Sequence, residues 1–166
     1  MPERSEREAL ASPETPTPVR SPDRNQSVVE RTIAITRSLR GVAHALMECA
    51  FDARAAGELD LDGFLAVSDR YQAMINQANT ALYEVVKTLP PLSEHIAKIE
   101  LATAELETAA ARLRDVKDVL TISAELLAAL SSLTIAVLRP DPAAIAATAE
   151  AIAAVTASIR ARIVSR

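Results

Sequence analysis

Residues 119–138 read VLTISAELLAALSSLTIAVL, a run whose single charged side chain is Glu125. Leucine and alanine dominate the run, and neither glycine nor proline occurs anywhere between Leu92 and Arg139. Because those two residue types are the usual interruptions of a helix, the pattern predicts one very long helix 3 over residues 93–139. At 1.5 Å per residue such a helix would measure about 70 Å.

The run ends at a proline-containing turn, residues 139–142. Asp141 suits an N-cap and Pro142 suits a first helical position, which predicts helix 4 over residues 142–164. Residues 119–159 would then form an apolar helical hairpin. Two such helices cannot bury one another on all sides, so we expect the hairpin to meet a further surface. The large apolar side chains predicted to form that interaction surface are Leu120, Leu127, Leu130, Leu133, Val137, Ile145, Ile152, Val155 and Ile159.

Two more helices are predicted upstream, at about residues 28–56 and 63–89. Ser27 and Glu30 fit a capping box, Gly57 suits a helix C-terminus, and Pro90 stops the second helix. Short turns make sequence neighbours antiparallel, so the expected fold class is all-α: an antiparallel four-helix bundle or a set of helical hairpins. A bend of helix 3 near residues 121–123 is the alternative, and it would turn the hairpin into ordinary core.

The first 26 residues differ in composition from the rest. They hold five of the nine prolines, near-balanced charges and few apolar side chains. Such a segment buries too little surface to offset its ordering entropy, so we expect a disordered tail over residues 1–26 and an all-helical domain over residues 27–166.

Composition narrows the function classes. Aromatic residues make up 2% of the chain, which disfavours β-rich folds, and the net charge of −4 comes from interspersed charges, so nucleic acid is not an expected partner. Cys49 is the one cysteine, which excludes an intramolecular disulfide. Without a secretory signal pattern, a cytoplasmic location is the default, with membrane association or signal-independent export as alternatives.

A short acidic stretch between helices 1 and 2 resembles a calcium-binding EF-hand loop in part. Glu58, Asp60, Asp62 and Asp69 fall on positions 1, 3, 5 and 12 of such a loop, with Gly63 at position 6. Glutamate at the first position and aspartate at the last depart from the pattern. The favoured interpretation is a structural turn in which an aspartate caps helix 2.

The sequence gives little support for other metal sites or for catalysis. His44, Glu48 and Asp52 share a helix face, but the Glu-x-x-His pairs of di-iron bundles are missing. We favour a solvated polar face there, beside a buried Cys49. Since the common nucleotide, hydrolase and zinc-protease motifs are also missing, we expect no enzyme activity, no cofactor and no metal site.

Two hypotheses for function follow. In the first, the chain is a non-enzymatic helical protein that self-associates, or binds another helical protein, through hairpin 119–159. In the second, the hairpin enters a lipid bilayer as an anchor or pore element, at a cost for Glu125 and Glu150.

Overall fold

The structure, a computed structural model, describes residues 22–87, 96–115 and 118–163 of the chain. These residues are almost wholly helical, so the prediction of an all-helical protein is confirmed. The elements are α1 (Pro22–Ala55), α2 (Leu61–Lys87), α3 (Ile96–Ala110), a 3-10 turn (Leu113–Asp115), α4 (Val119–Leu138) and α5 (Pro142–Arg162).

The first helix begins earlier than predicted. Of the predicted tail, residues 1–21 lie outside the described residues, but α1 already starts at Pro22 and runs through the predicted capping box at Ser27. Proline is well suited to a first helical position, because the N–H it lacks would have no partner inside the helix. The predicted start at residue 28 is therefore wrong by about two turns of helix.

The turn between α1 and α2 matches its prediction closely. Gly57 has a φ of 75°, the left-handed conformation that ends helices and that glycine adopts without strain. Three residues further on, Asp60 Oδ1 accepts a hydrogen bond from the Gly63 amide at 2.8 Å, so Asp60 caps α2. The two helices end and begin within two residues of the predicted boundaries.

The predicted very long helix 3 over residues 93–139 is wrong. It is two helices, α3 and α4, separated by the 3-10 turn, and helix 4 of the prediction is α5. Asp118 starts α4, since its carboxylate accepts a hydrogen bond from the Thr121 amide at 3.1 Å. Neither glycine nor proline is needed for the break, because an aspartate N-cap and a short irregular connection suffice.

The break is energetically favourable because the chain beyond it carries large apolar side chains that can be buried. A straight helix would carry Leu126, Leu130 and Leu133 past the ends of α1 and α2, into water. Burying each such side chain is worth roughly 1.5–3 kcal/mol, whereas an interrupted helix loses a few hydrogen bonds of about 1 kcal/mol each, some of them recovered by the cap. Folding α4 back onto the bundle is therefore favoured. The chain breaks before Val119, however, and not at residues 121–123, where the compact alternative had the bend; those residues lie inside α4.

The helices surround a common core in the order α1, α2, α4, α5, α3, with α3 closing back onto α1 and α4 also touching α1 across the middle. Arg31 of α1 forms an ion pair with Glu100 near the start of α3, and Gly41, further along α1, lines a groove with Ala110 at the end of α3, so these helices are parallel. Arg70 Nη1 donates to the Leu120 carbonyl oxygen at 2.8 Å and ties α2 to α4. Each turn-linked pair, α1 with α2 and α4 with α5, is antiparallel.

The core is built from aliphatic side chains of all five helices. Leu39 and Leu46 of α1, Met74 of α2, Leu106 of α3 and Leu126 of α4 are fully buried. Buried threonines satisfy their hydroxyls within their own helices, as when Thr32 Oγ1 donates to the Val28 carbonyl oxygen at 2.9 Å. The core is thus apolar and internally paired.

Candidate interaction surface

Most of the side chains predicted to form an interaction surface lie inside the bundle. Leu120 and Leu127 are partly buried against the core. The others are at most 2% exposed: Leu130, Leu133, Val137, Ile145, Ile152, Val155 and Ile159. They are occupied by the chain's own helices, so the prediction that they meet a partner stays a prediction and requires the bundle to open.

What remains outside is a nearly uncharged surface, which we call the outer face of α4 and α5. Its α4 part contains the exposed Ile135 (55%) and Leu138 (48%), together with small side chains on the same stripe. Its α5 part is almost entirely alanine. The exposed or half-exposed residues of the face are Ala124, Ala128, Ser131, Ile135 and Leu138 of α4, and Ala143, Ala146, Ala147, Ala153, Ala154, Ala157 and Ala161 of α5.

Two charged residues interrupt the α5 part of this face. Glu150 and Arg160 are both exposed, lie ten residues apart and carry opposite charges. Arg160 Nη1 lies 3.6 Å from Glu105 Oε2 of α3, an ion pair in which both side chains are about half exposed. An exposed pair of this kind contributes little to stability, so Arg160 remains available to another carboxylate.

Beside the outer face, Glu125 lies at the seam between α4 and α5. Asp118, Glu125 and Ser132 are spaced by seven residues and share one side of α4. Asp118 pairs with Arg162 at 3.3 Å and Ser132 with Thr148 at 3.1 Å, both partners being on α5. Between these contacts, the Oε2 atom of Glu125 is buried with no hydrogen-bond partner in the described part of the chain. An unpaired buried polar atom costs about 1–3 kcal/mol, so a donor brought to this seam would be favourable.

The EF-hand-like residues act as a turn. Asp60 is occupied as the N-cap of α2, Gly63 lies inside that helix, and Glu58, Asp62 and Asp69 are exposed. Within residues 22–87, 96–115 and 118–163, no group of three or more His, Cys, Asp or Glu side chains is close enough together to hold a metal ion.

Cys49 is buried, as predicted. Burial raises the pKa of its thiol, and the nearby carboxylates of Asp52 and Glu48 raise that pKa further, against an opposing contribution from Arg114. A raised pKa leaves little thiolate at neutral pH, which is unfavourable for nucleophilic chemistry. His44, the nearest histidine in sequence, is engaged with the Tyr71 hydroxyl at 2.7 Å.

The described part of the chain contains a small apolar void and a wider open groove. An apolar void of about 10 Å³ lies between the third and fourth turns of α1, the first turn of α3 and the α4–α5 end, lined by residues such as Ile35, Ile96 and Ile145. It is about the size of one water molecule. A wider open groove of about 490 Å³ runs between α1 and α3 past Gly41 and Ala110.

No protein-family model matches the chain, and no significant match is found among the curated proteins or the solved structures. The surfaces of the bundle are therefore the guide to its function.

The outer face could have been anticipated from the sequence of α5. The large apolar residues Ile145, Ile152 and Ile159 recur every seven positions, which assigns them to one side of the helix. The exposed residues on the opposite side of the helix are mostly alanines, with Glu150 and Arg160 as the charged exceptions. The helical phase, rather than total hydrophobicity, was the informative signal.

Proposed function

We propose that the chain is a non-enzymatic helical interaction protein that self-associates through its 119–159 hairpin, using the outer face of α4 and α5. The observation that carries the proposal is this face itself: two neighbouring helices with only Glu150 and Arg160 charged on their solvent side. A surface of a soluble protein normally mixes charges of both signs over such an area, and a large uncharged face indicates contact with something else.

A second copy suits this face in charge and in shape. If α5 packs antiparallel against α5 of a second copy about a two-fold axis level with Val155, Glu150 of each copy faces Arg160 of the partner subunit. In the same arrangement Ala153 faces Ala157 of the partner subunit. Alanine lets helix backbones approach closely, and a two-fold axis repeats each favourable contact.

The oligomeric state tests the proposal. Light scattering and analytical ultracentrifugation should give a species of twice the 17.7 kDa chain mass. Ala154→Glu and Ala157→Glu should each yield a monomer with an unchanged helical circular dichroism spectrum. Ala34→Glu, at an exposed alanine of α1, is the matched control and should leave the dimer intact.

A charge exchange makes the test specific to the antiparallel arrangement. Glu150→Arg and Arg160→Glu should each weaken association about tenfold, because like charges then meet twice across the axis, a difference of about 1.4 kcal/mol. The double variant should recover most of the loss. A dimer indifferent to the alanine variants, or a chain that is monomeric at high concentration, would refute self-association through this face.

A second candidate function is membrane insertion of the same hairpin. It is favoured by one observation: α4 and α5 are consecutive, 20 and 21 residues long, and apolar enough to span a bilayer by length and composition. Against it, half of the apolar stretch of α4 is buried in the bundle, as the core helix of a soluble protein would be. Entry into lipid would therefore require the hairpin to leave α2 and α3.

Flotation with anionic liposomes at pH 7 and at about pH 4.5, near the ordinary carboxyl pKa, separates the two candidates. Insertion predicts that the protein floats and that Glu125→Gln increases the floating fraction, since the variant removes a charge that is costly in lipid. Protein that stays at the bottom of the gradient under both conditions would reject membrane insertion. We propose a cytoplasmic location for the self-associating form, and a membrane-associated one for the inserting form.

A further inference from the structure

The aromatic residues of this chain are exposed or only partly buried. There are two phenylalanines, two tyrosines and no tryptophan. Phe51 is 57% exposed and Tyr83 is 64% exposed, while Phe64 and Tyr71 are partly buried at the edge of the core. Large aromatic side chains are the residues a core gains most from burying, and they are also the residues that dominate binding energy at protein interfaces.

Three of the four lie along one line, the outer seam between α1 and α2. The rings of Phe51 and Phe64 pack with centroids 5.0 Å apart at an angle of 59°. Two helical turns away, His44 and Tyr71 form a second pair, with ring centroids 5.4 Å apart. These paired rings hold one another in place, so the seam presents an ordered apolar surface instead of mobile side chains.

Leucines extend this surface at the turn end of the bundle. Leu61 and Leu65 are 53% and 50% exposed, and both lie within four residues of Phe64 in the first two turns of α2. We call the group Phe51, Leu61, Phe64 and Leu65 the aromatic seam. An exposed strip of aliphatic and aromatic side chains is a surface that the apolar side of an amphipathic helix can cover.

The charges around the aromatic seam are acidic. Exposed Glu48 and Asp52 flank Phe51 on α1, and exposed Asp62 and Asp69 flank the leucines on α2. Positive charge is present but outnumbered: Arg54 is exposed at the turn end of the seam, and Arg114 shares a pocket with Asp52. Arg54 donates to the Leu59 carbonyl oxygen at 3.2 Å within the turn, and Arg70 reaches across to α4.

We propose that the aromatic seam binds a basic amphipathic helix of another protein. The apolar side of that helix covers Phe51, Leu61 and Leu65, and its lysines or arginines face the carboxylates of Glu48, Asp52 and Asp69. Charge complementarity selects this occupant: the acidic rim repels anionic lipid headgroups and acidic helices, and it attracts a basic one. The aromatic seam, on α1 and α2, consists of different residues from the outer face of α4 and α5, so one chain can self-associate and hold a partner together.

A designed peptide pair tests the proposal on the full chain. The probe is a fluorescent 18-residue helix with leucine at i, i+3, i+4 and i+7 and lysine or arginine elsewhere, and its counterpart has glutamate in place of each basic residue. Fluorescence anisotropy should give saturable binding of the basic peptide, weakened by added salt. Binding of the acidic peptide should be at least about tenfold weaker.

Variants locate the site. Phe51→Ala and Leu65→Ser should each weaken binding of the basic peptide about tenfold or more, and Glu48→Gln with Asp52→Asn should weaken it severalfold and reduce its salt dependence. Leu101→Ala is the matched control, because Leu101 is 66% exposed but lies on α3. This variant should bind the basic peptide as tightly as the unchanged chain. Equal binding of both peptides, or equal loss in Leu101→Ala, would overturn the proposal. Loss of the chain's own dimer in Phe51→Ala would also overturn it, in favour of a second copy as the occupant.

Discussion

Arg162 Nε lies 3.3 Å from Asp118 Oδ2, which joins the last turn of α5 to the residue that caps α4. Hydrogen bonds from Thr121 lower the pKa of Asp118, burial opposes them, and the hydrogen bond and charge of Arg162 add smaller lowering contributions. One carboxylate thus both starts α4 and anchors the far end of the hairpin. It stands at the position where a continuous helix was expected.

Replacing Asp118 separates these two roles. Asp118→Ala removes the cap and the ion pair and should lower the free energy of unfolding by about 1–2 kcal/mol. Asp118→Asn keeps a capping oxygen and should cost about 0.5 kcal/mol or less, as expected for a partly exposed ion pair. Urea denaturation followed by circular dichroism measures both. Equal losses in the two variants would mean that the ion pair, and not the cap, is what stabilises this end of the hairpin.

Two helical glycines offer a matched comparison. A Cβ added at Gly41 would meet nothing within 4 Å, whereas one at Gly63 would come within 2.8 Å of Leu59 Cδ1 and 2.9 Å of Asp60 Oδ1. Gly41→Ala should therefore raise the free energy of unfolding by about 0.5–1 kcal/mol, the usual gain of alanine in a helix. Gly63→Ala should lower it by about 1 kcal/mol by displacing the capping carboxylate. A higher free energy of unfolding in both variants would show that the turn at Asp60 rearranges at little energetic cost.

Local signals in the sequence predicted much of this fold and missed its central break. The helix class, the Gly57 turn and the start of α5 at Pro142 followed from glycine, proline and capping chemistry, which act over a few residues. The break at Asp118 could not be found that way, because it depends on what a straight helix would leave unburied. The same tertiary effect buries Leu130 and Ile152, although the seven-residue spacing of the isoleucines in α5 already indicated which side of that helix is buried.

Stability should fall at acidic pH through the carboxylates that are paired in the folded state. Hydrogen bonding to Arg31 lowers the pKa of Glu100, partly offset by burial, and Arg31 Nε donates to Glu100 Oε1 at 2.6 Å. A depressed folded-state pKa gives stabilisation that is present above the ordinary value of about 4.3 and is lost as pH falls through the folded-state pKa. Asp118 acts in the same direction.

Glu100→Gln should reduce the change in stability between pH 7 and pH 3. The Arg31 and Glu100 side chains are about one third exposed, so their ion pair is partly screened by solvent. Glu100→Gln should therefore lower the free energy of unfolding by about 0.5–1 kcal/mol at pH 7 and by close to zero at pH 3. Denaturant midpoints measured from pH 7 to pH 3 test this. Glu105→Gln, at the more exposed pair with Arg160, is the control and should change the profile less. A wild-type profile that is flat over this range would contradict the assignment.

Leu130 and Ile135 lie five residues apart on α4 and face opposite ways, one fully buried and the other 55% exposed. Leu130→Ala should lower the free energy of unfolding by about 2–5 kcal/mol, because it leaves a cavity in the core. Ile135→Ala should change the free energy of unfolding by less than about 0.5 kcal/mol, as surface substitutions usually do. Denaturation at a protein concentration below the dimer dissociation constant keeps association out of the comparison. If both variants lowered the free energy of unfolding equally little, the large side chains of the hairpin would not be core. The prediction of an interaction surface at Leu130 would then be supported.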